Sequence, residues 1–163
     1  FQPGNRLPAT GRVDERRQTS GIFWFLFRSW STMAQTILII EDDQPILEMM
    51  DLMIRRLGYE PVLVTNGIDA LERLKTLRPA LILLDIMMMP INGWEFLAKL
   101  RSEQSMKEIP VLIFSASPAV EERMAQLNDP HLGVLHKPVT FVELREGIGR
   151  ALRGREPDKE RGL

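Results

Sequence analysis

Five short apolar runs, each followed by a polar or helical segment, constrain the fold of this chain more than any other feature. They are ILII at 37–40, PVLV at 61–64, LILL at 81–84, VLIF at 111–114 and GVLH at 133–136. The runs are continuous in hydrophobicity and do not alternate, which is typical of strands that are buried on both faces. Such strands need helices on both sides, so the pattern predicts a parallel α/β sheet.

Amphipathic segments after the strands predict the covering helices. Gly58 is expected to end the first helix, and Pro79 limits the second. Asp43 is expected to cap the first helix, and Ser117-Pro118 to cap and begin the fourth. The apolar positions at helical spacing are Ile46, Met50, Met53 and Leu57, then Leu71, Leu74 and Leu77, then Phe96, Leu97 and Leu100, and finally Phe141, Leu144, Ile148 and Leu152.

The two ends of the chain differ from this alternating region. Residues 1–32 are rich in Gly, Pro, Arg and polar residues and show no helical or strand periodicity. Their apolar stretch, Ile22 to Phe27, is too short for a signal peptide or a membrane span. If the stretch has a function, it is a weak contact with a membrane or with a partner protein. We expect 1–32 to be a disordered or non-native leader, 33–152 to form one domain, and 153–163 to be a charged tail.

The composition excludes several kinds of site. The absence of cysteine excludes disulfides, thiolate metal sites and cysteine nucleophiles. Two histidines, His131 and His136, are too few for a histidine-rich metal site, and His136 is interpreted as structural. A net charge of −1 gives no overall basic field, so we expect neither direct nucleic-acid binding nor membrane insertion.

Polar residues follow the strands at positions that a parallel sheet brings together. Glu41 and Asp42 follow the first strand, Asp85 the third, Ser115 the fourth and Lys137 the fifth. Ligands of open α/β sheets bind beyond these strand ends. Clustered carboxylates repel one another and suit a hard divalent cation such as Mg²⁺, while a lysine and a hydroxyl can hold phosphate oxygens. The set indicates transfer of a phosphoryl group to a carboxylate.

Four short motifs carry a resemblance to a known family. They are IIEDD at 39–43, LLD at 83–85, FSA at 114–116 and HKP at 136–138. In this order, and at these strand ends, they resemble the receiver domains of two-component response regulators, from about Thr36 to Leu152. The resemblance implies a flavodoxin-like fold, which is a doubly wound five-stranded parallel sheet of order 2-1-3-4-5 with helices on both faces.

The resemblance also implies a role for each site residue. Asp85 would accept a phosphoryl group from a sensor histidine kinase or a phosphotransfer protein. Ser115 would bond to the phosphoryl oxygens and Lys137 would pair with their charge, with a cis peptide between Lys137 and Pro138.

A magnesium site beside the acceptor is implied as well. Asp42 would bind Mg²⁺ directly, together with Asp85, and Glu41 would act through water. The backbone carbonyl of Met87 would complete the protein ligands.

The resemblance implies a cytoplasmic signalling protein and not a dedicated enzyme. Only eleven residues follow Leu152, so we expect a stand-alone receiver with self-catalysed phosphorylation and dephosphorylation. It would switch the binding of a downstream protein or relay the phosphoryl group, as a monomer or a phosphorylation-dependent dimer. One alternative is a degenerate receiver that docks independently of phosphorylation. Another is an aspartyl-nucleophile phosphohydrolase. Such an enzyme needs a general acid two residues after the nucleophile, and this chain has Met87 at that position, which counts against the alternative.

Two positions depart from the family pattern. Pro90 lies five residues after Asp85, one later than is usual, whereas Gly93 keeps its usual place. Val134 stands three residues before the lysine, where the family often has a rotating Tyr or Phe. The methionines at 87–89 are expected to pack and fill gaps.

Removal of residues 1–32 is expected to leave the melting temperature and the phosphorylation of the domain unchanged, because organised periodicity begins only after Met33. Thermal unfolding of the full and shortened chains checks this. A clear fall in melting temperature on shortening would show that the aromatic stretch of the leader packs on the domain.

Overall fold

Five strands and five helices alternate along residues 34–154, the part of the chain that this computed structural model describes. The predicted leader, and residues 155–163 of the predicted tail, lie outside the described residues. The strands are β1 Thr36–Ile40, β2 Glu60–Val64, β3 Leu81–Asp85, β4 Val111–Ser115 and β5 Leu132–His136. The helices are α1 Gln44–Arg56, α2 Gly67–Leu74, α3 Gly93–Ser102, α4 Ala119–Leu127 and α5 Phe141–Arg153.

The strands form one parallel sheet in the order β2-β1-β3-β4-β5. Helices α1 and α5 pack on one face of the sheet, and α2, α3 and α4 pack on the other. The predicted doubly wound, flavodoxin-like fold is therefore confirmed. The strand order reverses between β1 and β3, and open α/β sheets bind ligands beyond the carboxyl ends of the strands at such a point.

Side chains of each strand alternate between two apolar cores. In β1, Leu38 and Ile40 face the α2–α4 side, while Ile37 and Ile39 face the α1–α5 side. All four are at most 2% exposed. Full burial of such a side chain stabilises the fold by roughly 1.5–3 kcal/mol, so the two cores fix the position of every strand end.

The ends of α1 agree with their predicted signals. Asp43 Oδ1 accepts a hydrogen bond of 3.1 Å from the Ile46 N–H, which caps the helix. Gly58 follows the helix with φ of +87°, a left-handed conformation that glycine adopts without strain. The predicted apolar row is only partly right, because the buried residues of α1 are Leu47, Met50 and Ile54.

Other helix boundaries differ slightly from the predictions. Leu77 was predicted to lie on the second helix, but α2 ends at Leu74. The predicted Ser117 cap with Pro118 in the first turn is wrong by one residue, because Pro118 occupies the cap position and no side chain caps α4. Ser117 Oγ accepts instead from the Ala119 N–H at 3.3 Å, in the turn just before the helix. At the other end, α5 continues to Arg153, one residue beyond the predicted end of the domain.

The prediction for the methionine run is right for one residue of three. Met88 is 2% exposed and belongs to the core beneath α2–α4. Met87 and Met89 are 76% and 74% exposed, so they fill no gap. These residues lie in the loop between β3 and α3, where alternate side chains face solvent.

Contacts that the sequence did not predict link α3 to α4 and to the loop after it. The guanidinium carbon of Arg123, on α4, lies 4.6 Å from the ring centroid of Trp94, on α3. Arg101, also on α3, donates from Nε to Asp129 Oδ2 at 2.6 Å, and both side chains are largely buried. The stack and the ion pair fix the α4 segment against α3.

Helix α3 begins in close contact with the end of β3. Asn92 and Glu95 form a capping box, and the Gly93 N–H donates to the Ile86 carbonyl at 3.0 Å. A Cβ atom at position 93 would lie 2.5 Å from the Asp85 carbonyl oxygen and 2.8 Å from the Ile86 Cα. Both are backbone atoms, so only glycine permits this approach.

Gly93→Ala is expected to lower the free energy of unfolding by about 2 kcal/mol, because the backbone of β3 or of α3 has to shift. Gly149→Ala is the matched control. Its Cβ would approach only the flexible end of Arg153, at 3.2 Å, and alanine favours the helix by about 0.5–1 kcal/mol. Urea unfolding of both variants checks the prediction, and equal stability of the two would contradict it.

Candidate functional site

One lysine connects two buried carboxylates at the carboxyl end of the sheet. Lys137 Nζ donates to Glu41 Oε2 at 2.7 Å and to Asp85 Oδ1 at 2.9 Å. The side chains of Glu41 and Asp85 are 3% and 4% exposed, and that of Lys137 is 18% exposed. Water is thus largely excluded from the three charged groups, and their interactions are stronger than at an exposed surface.

The protonation of this cluster follows from burial and pairing. Burial raises the pKa of Glu41, and the hydrogen bond from Lys137 offsets part of this rise. Burial alone would lower the pKa of Lys137, but its hydrogen bonds to Glu41 and Asp85 raise that pKa overall. Lys137 is therefore a cation at neutral pH.

Glu41 is held in place from three sides. Its N–H donates to the Val64 carbonyl on β2 at 3.1 Å. Its Oε1 accepts from the Asp43 N–H at 3.2 Å, while Oε2 accepts from Lys137. One carboxylate oxygen thus orders the turn before α1, and the other faces the lysine.

Three carboxylates in this cluster fit a divalent cation. One oxygen from each of Glu41, Asp42 and Asp85 lies within 4.8 Å of the other two, and Asp42 is exposed to solvent. A single lysine cannot balance three negative charges. Mg²⁺ prefers oxygen ligands, one or two of them carboxylates, with water completing its shell, so this donor set suits it.

Ser115 ends β4 beside the lysine segment. Its carbonyl accepts from the Lys137 N–H at 3.0 Å, and its Oγ accepts from the Ser117 N–H at 3.2 Å. The side chain is buried, with 1% of the residue exposed. The peptide between Lys137 and Pro138 is cis, as expected, and the peptide between Met89 and Pro90 is cis as well.

The structure thus brings Glu41, Asp42, Asp85 and Lys137 together, with Ser115 on the strand between β3 and β5. His136, interpreted from the sequence as structural, is exposed, and its Nε2 lies 3.1 Å from Glu121 Oε1 on α4. Met87 follows two residues after Asp85 in the loop before α3.

Sequence reasoning missed one residue at this site. Phe114 pairs with Asp85 in the β3–β4 register, and its ring centroid lies 4.7 Å from Lys137 Nζ. An aromatic residue directly before Ser115 was the available signal. Phe114 belongs both to an apolar run and to the FSA motif, but neither pattern assigned a role to its ring.

The family model for the response regulator receiver domain matches residues 37–149. The chain therefore belongs to the response regulator receiver domain family.

Similar proteins agree with this assignment. The response regulator MprA of Mycobacterium sp. (strain KMS) is 32% identical over 127 residues, which cover 78% of this chain and 54% of the relative. The chain therefore spans about half the length of this curated relative.

Two solved structures have the same fold. The signal receiver domain of a signal transduction histidine kinase from Syntrophus aciditrophicus is 26% identical, with a TM-score of 0.68 over 80% of this chain and 98% of that one. The receiver domain of the sensor histidine kinase PA1611 from Pseudomonas aeruginosa PAO1 is 26% identical, with a TM-score of 0.67 over 74% and 98% of the two chains. The latter structure has a magnesium ion coordinated in its active site cleft.

Among residues 34–154, no helix combines the length and the apolar character needed to cross a membrane.

Lys137→Met is expected to lower the free energy of unfolding by about 3 kcal/mol in the presence of a chelator, because two buried carboxylates lose their shared cation. Lys99→Met, at an exposed lysine on α3, is the control and should change stability by less than about 0.5 kcal/mol. Thermal unfolding of both variants measures the difference. An unchanged melting temperature for Lys137→Met would contradict the bridging role.

Proposed function

We propose that this receiver accepts a phosphoryl group on Asp85 and uses the resulting charge to switch or relay a signal. The observation that carries the proposal is the position of the Asp85 carboxylate, buried at the end of β3 with a lysine ammonium at 2.9 Å. A buried carboxylate is costly unless it is paired. This one is paired with a cation and stands beside two further carboxylates.

The transfer itself needs one nucleophile and groups that stabilise charge. An oxygen of Asp85 attacks the phosphorus atom, and the bond from phosphorus to the nitrogen of a phosphohistidine breaks with its electron pair going to the nitrogen. The ammonium of Lys137 offsets the negative charge on the phosphoryl oxygens. Ser115 Oγ accepts from the Ser117 N–H, which leaves its own proton for donation to a phosphoryl oxygen.

The residues that would hold Mg²⁺ are Asp42 and Asp85 directly, Glu41 through water, and Met87 through its carbonyl. Bound Mg²⁺ supplies neutralisation of the charge on the attacking and transferring oxygens. The cluster of three carboxylates supports this assignment, as does the magnesium ion in the PA1611 receiver domain.

The donor of the phosphoryl group would be a sensor histidine kinase or a phosphotransfer protein. The phosphorylated domain would then act on a downstream protein in the cytoplasm. Phosphorylation adds about −1.5 to −2 charges to the site, which draws Ser115 and Lys137 toward it. The chemistry is the same for a stand-alone receiver and for one joined to an output domain, because every residue invoked lies between 41 and 137. The protein is a phosphoacceptor that catalyses its own modification, and not an enzyme that turns over a substrate.

Val134 bears on how the signal leaves the site. It is partly buried against the α2–α4 core and has no ring that can swing between two positions. Ser115 and the loop that follows it, which carries the Ser117 hydroxyl, are therefore the parts that report phosphorylation to the surface.

Asp85→Asn is expected to abolish labelling by acetyl phosphate and Mg²⁺ while the protein stays folded, because the nucleophile is lost and the shape is nearly kept. Mass spectrometry of the intact protein measures the gain of one phosphoryl group, and circular dichroism checks the fold. Full labelling of the variant would refute the assignment of Asp85. Continuous turnover by the wild type would indicate a hydrolase, and neither labelling nor turnover would indicate a docking module.

Asp42→Ala is expected to abolish Mg²⁺ binding and most of the labelling, since a direct ligand is removed. Asp43→Ala is the matched control at the neighbouring exposed acid. It removes the cap of α1 at a cost of about 1 kcal/mol and should leave Mg²⁺ affinity unchanged. Calorimetric titration with Mg²⁺ separates the two variants, and a similar loss of affinity in both would show that Asp42 has no special role.

A further inference from the structure

We propose that Phe114 is a positioning residue whose ring face holds the Lys137 ammonium beside Asp85. The inference rests on the proposed function of Asp85 as phosphoacceptor. Lys137 Nζ lies 4.7 Å from the centroid of the Phe114 ring, within the range of a cation–π interaction. The negative face of the ring attracts the cation, and this attraction is larger where water is excluded.

The sheet places the ring where it can act on the lysine. Phe114 is 3% exposed and pairs with Asp85 in the register of β3 and β4. Its side chain belongs to the core under α1 and α5, together with Leu135 and Val139, which flank the lysine segment along the chain. The ring is therefore fixed by packing, and the ammonium rests on a rigid surface.

The ring differs in kind from the other partners of the ammonium. Within the described residues, Lys137 Nζ has two hydrogen-bond partners, and both are carboxylates. Those carboxylates belong to the candidate metal cluster, so any cation bound there competes with the lysine for their oxygens. The attraction of the Phe114 ring involves no carboxylate and is unaffected by that competition. It keeps the ammonium near Asp85 while Glu41 and Asp85 engage other charges.

The competing explanation is that Phe114 only fills the core. A graded change in the electrons of the ring, without a change in its shape, distinguishes the two. Fluorine atoms withdraw electron density from the ring face, so phenylalanines with one, two or three fluorines weaken a cation–π contact in steps while preserving nearly the same packing.

The first experiment places this fluorinated series at position 114 of the full chain and measures the rate of labelling by acetyl phosphate with Mg²⁺. The logarithm of the rate is expected to fall with each fluorine, to a total loss of about 2-fold to 30-fold. The same series at Phe96 is the control, because Phe96 is fully buried in the other core. Rates that do not change in the Phe114 series, or that change equally in the Phe96 series, overturn the proposal.

The second experiment needs no phosphorylation. Melting temperatures are measured in a chelator for wild type, Phe114→Leu, Phe96→Leu and Lys137→Met, and for each Phe variant combined with Lys137→Met. The fall in melting temperature caused by Phe114→Leu should be smaller when Lys137 is already replaced. The fall caused by Phe96→Leu should be the same with and without the Lys137 replacement. Additive losses for Phe114 and Lys137 would mean that the ring does not hold the ammonium.

The two experiments separate this inference from the function beneath it. If the wild-type protein takes up no phosphoryl group, the proposed function fails, and the melting temperatures still decide whether Phe114 holds Lys137. If the wild type is labelled but neither the fluorinated series nor the melting temperatures show the expected pattern, the function stands and Phe114 is only a core residue.

Discussion

A single ammonium group compensates the charge of two buried carboxylates at the carboxyl end of the sheet. Lys137 lies 96 residues from Glu41 and 52 from Asp85 along the chain, yet it donates to both carboxylates. Two buried acids on neighbouring strands repel each other, and burial adds a further penalty to each. The strand order β2-β1-β3-β4-β5 brings the ends of β1 and β3 together, and the lysine segment after β5 reaches across β4 to compensate them.

Buried strands, an aromatic ring and a helix N-terminus fix the positions of these charged side chains. Strand β1, which Glu41 follows, and strand β3, which ends at Asp85, are buried on both faces, and the Phe114 ring lies against the ammonium. Helix α3 adds a further constraint, because Gly93 packs directly against the Asp85 carbonyl. Asp85 therefore has its side chain fixed by a cation and its backbone fixed by a helix, which is the kind of positioning that the proposed role of a nucleophile requires.

The fold could be predicted because the central strands β1, β3 and β4 are buried on both faces and are therefore apolar almost throughout. The outer strands β2 and β5 are only partly buried, yet their runs are apolar enough to be recognised. The clustering of Glu41, Asp42, Asp85 and Lys137 could be predicted because a parallel sheet brings the residues that follow its strands to one edge. Loop residues gave no such signal, so the exposure of Met87 and Met89 was not predicted. The Arg101–Asp129 pair joins positions 28 residues apart and carries no periodic pattern. The contact of Phe114 with Lys137 could not be predicted, because an apolar residue in a buried strand is already explained by the strand pattern.

The stack of Arg123 on Trp94 gives this protein an optical property. The sequence contains three tryptophans, and two of them, Trp24 and Trp30, precede residue 33. A chain that begins at residue 33 keeps a single indole, which lies on α3 under a guanidinium carried by α4. Indole emission depends on the charge and solvent around the ring, so any movement of α4 away from α3 changes the fluorescence of Trp94. The shortened chain thus carries its own spectroscopic reporter of the α3–α4 spacing.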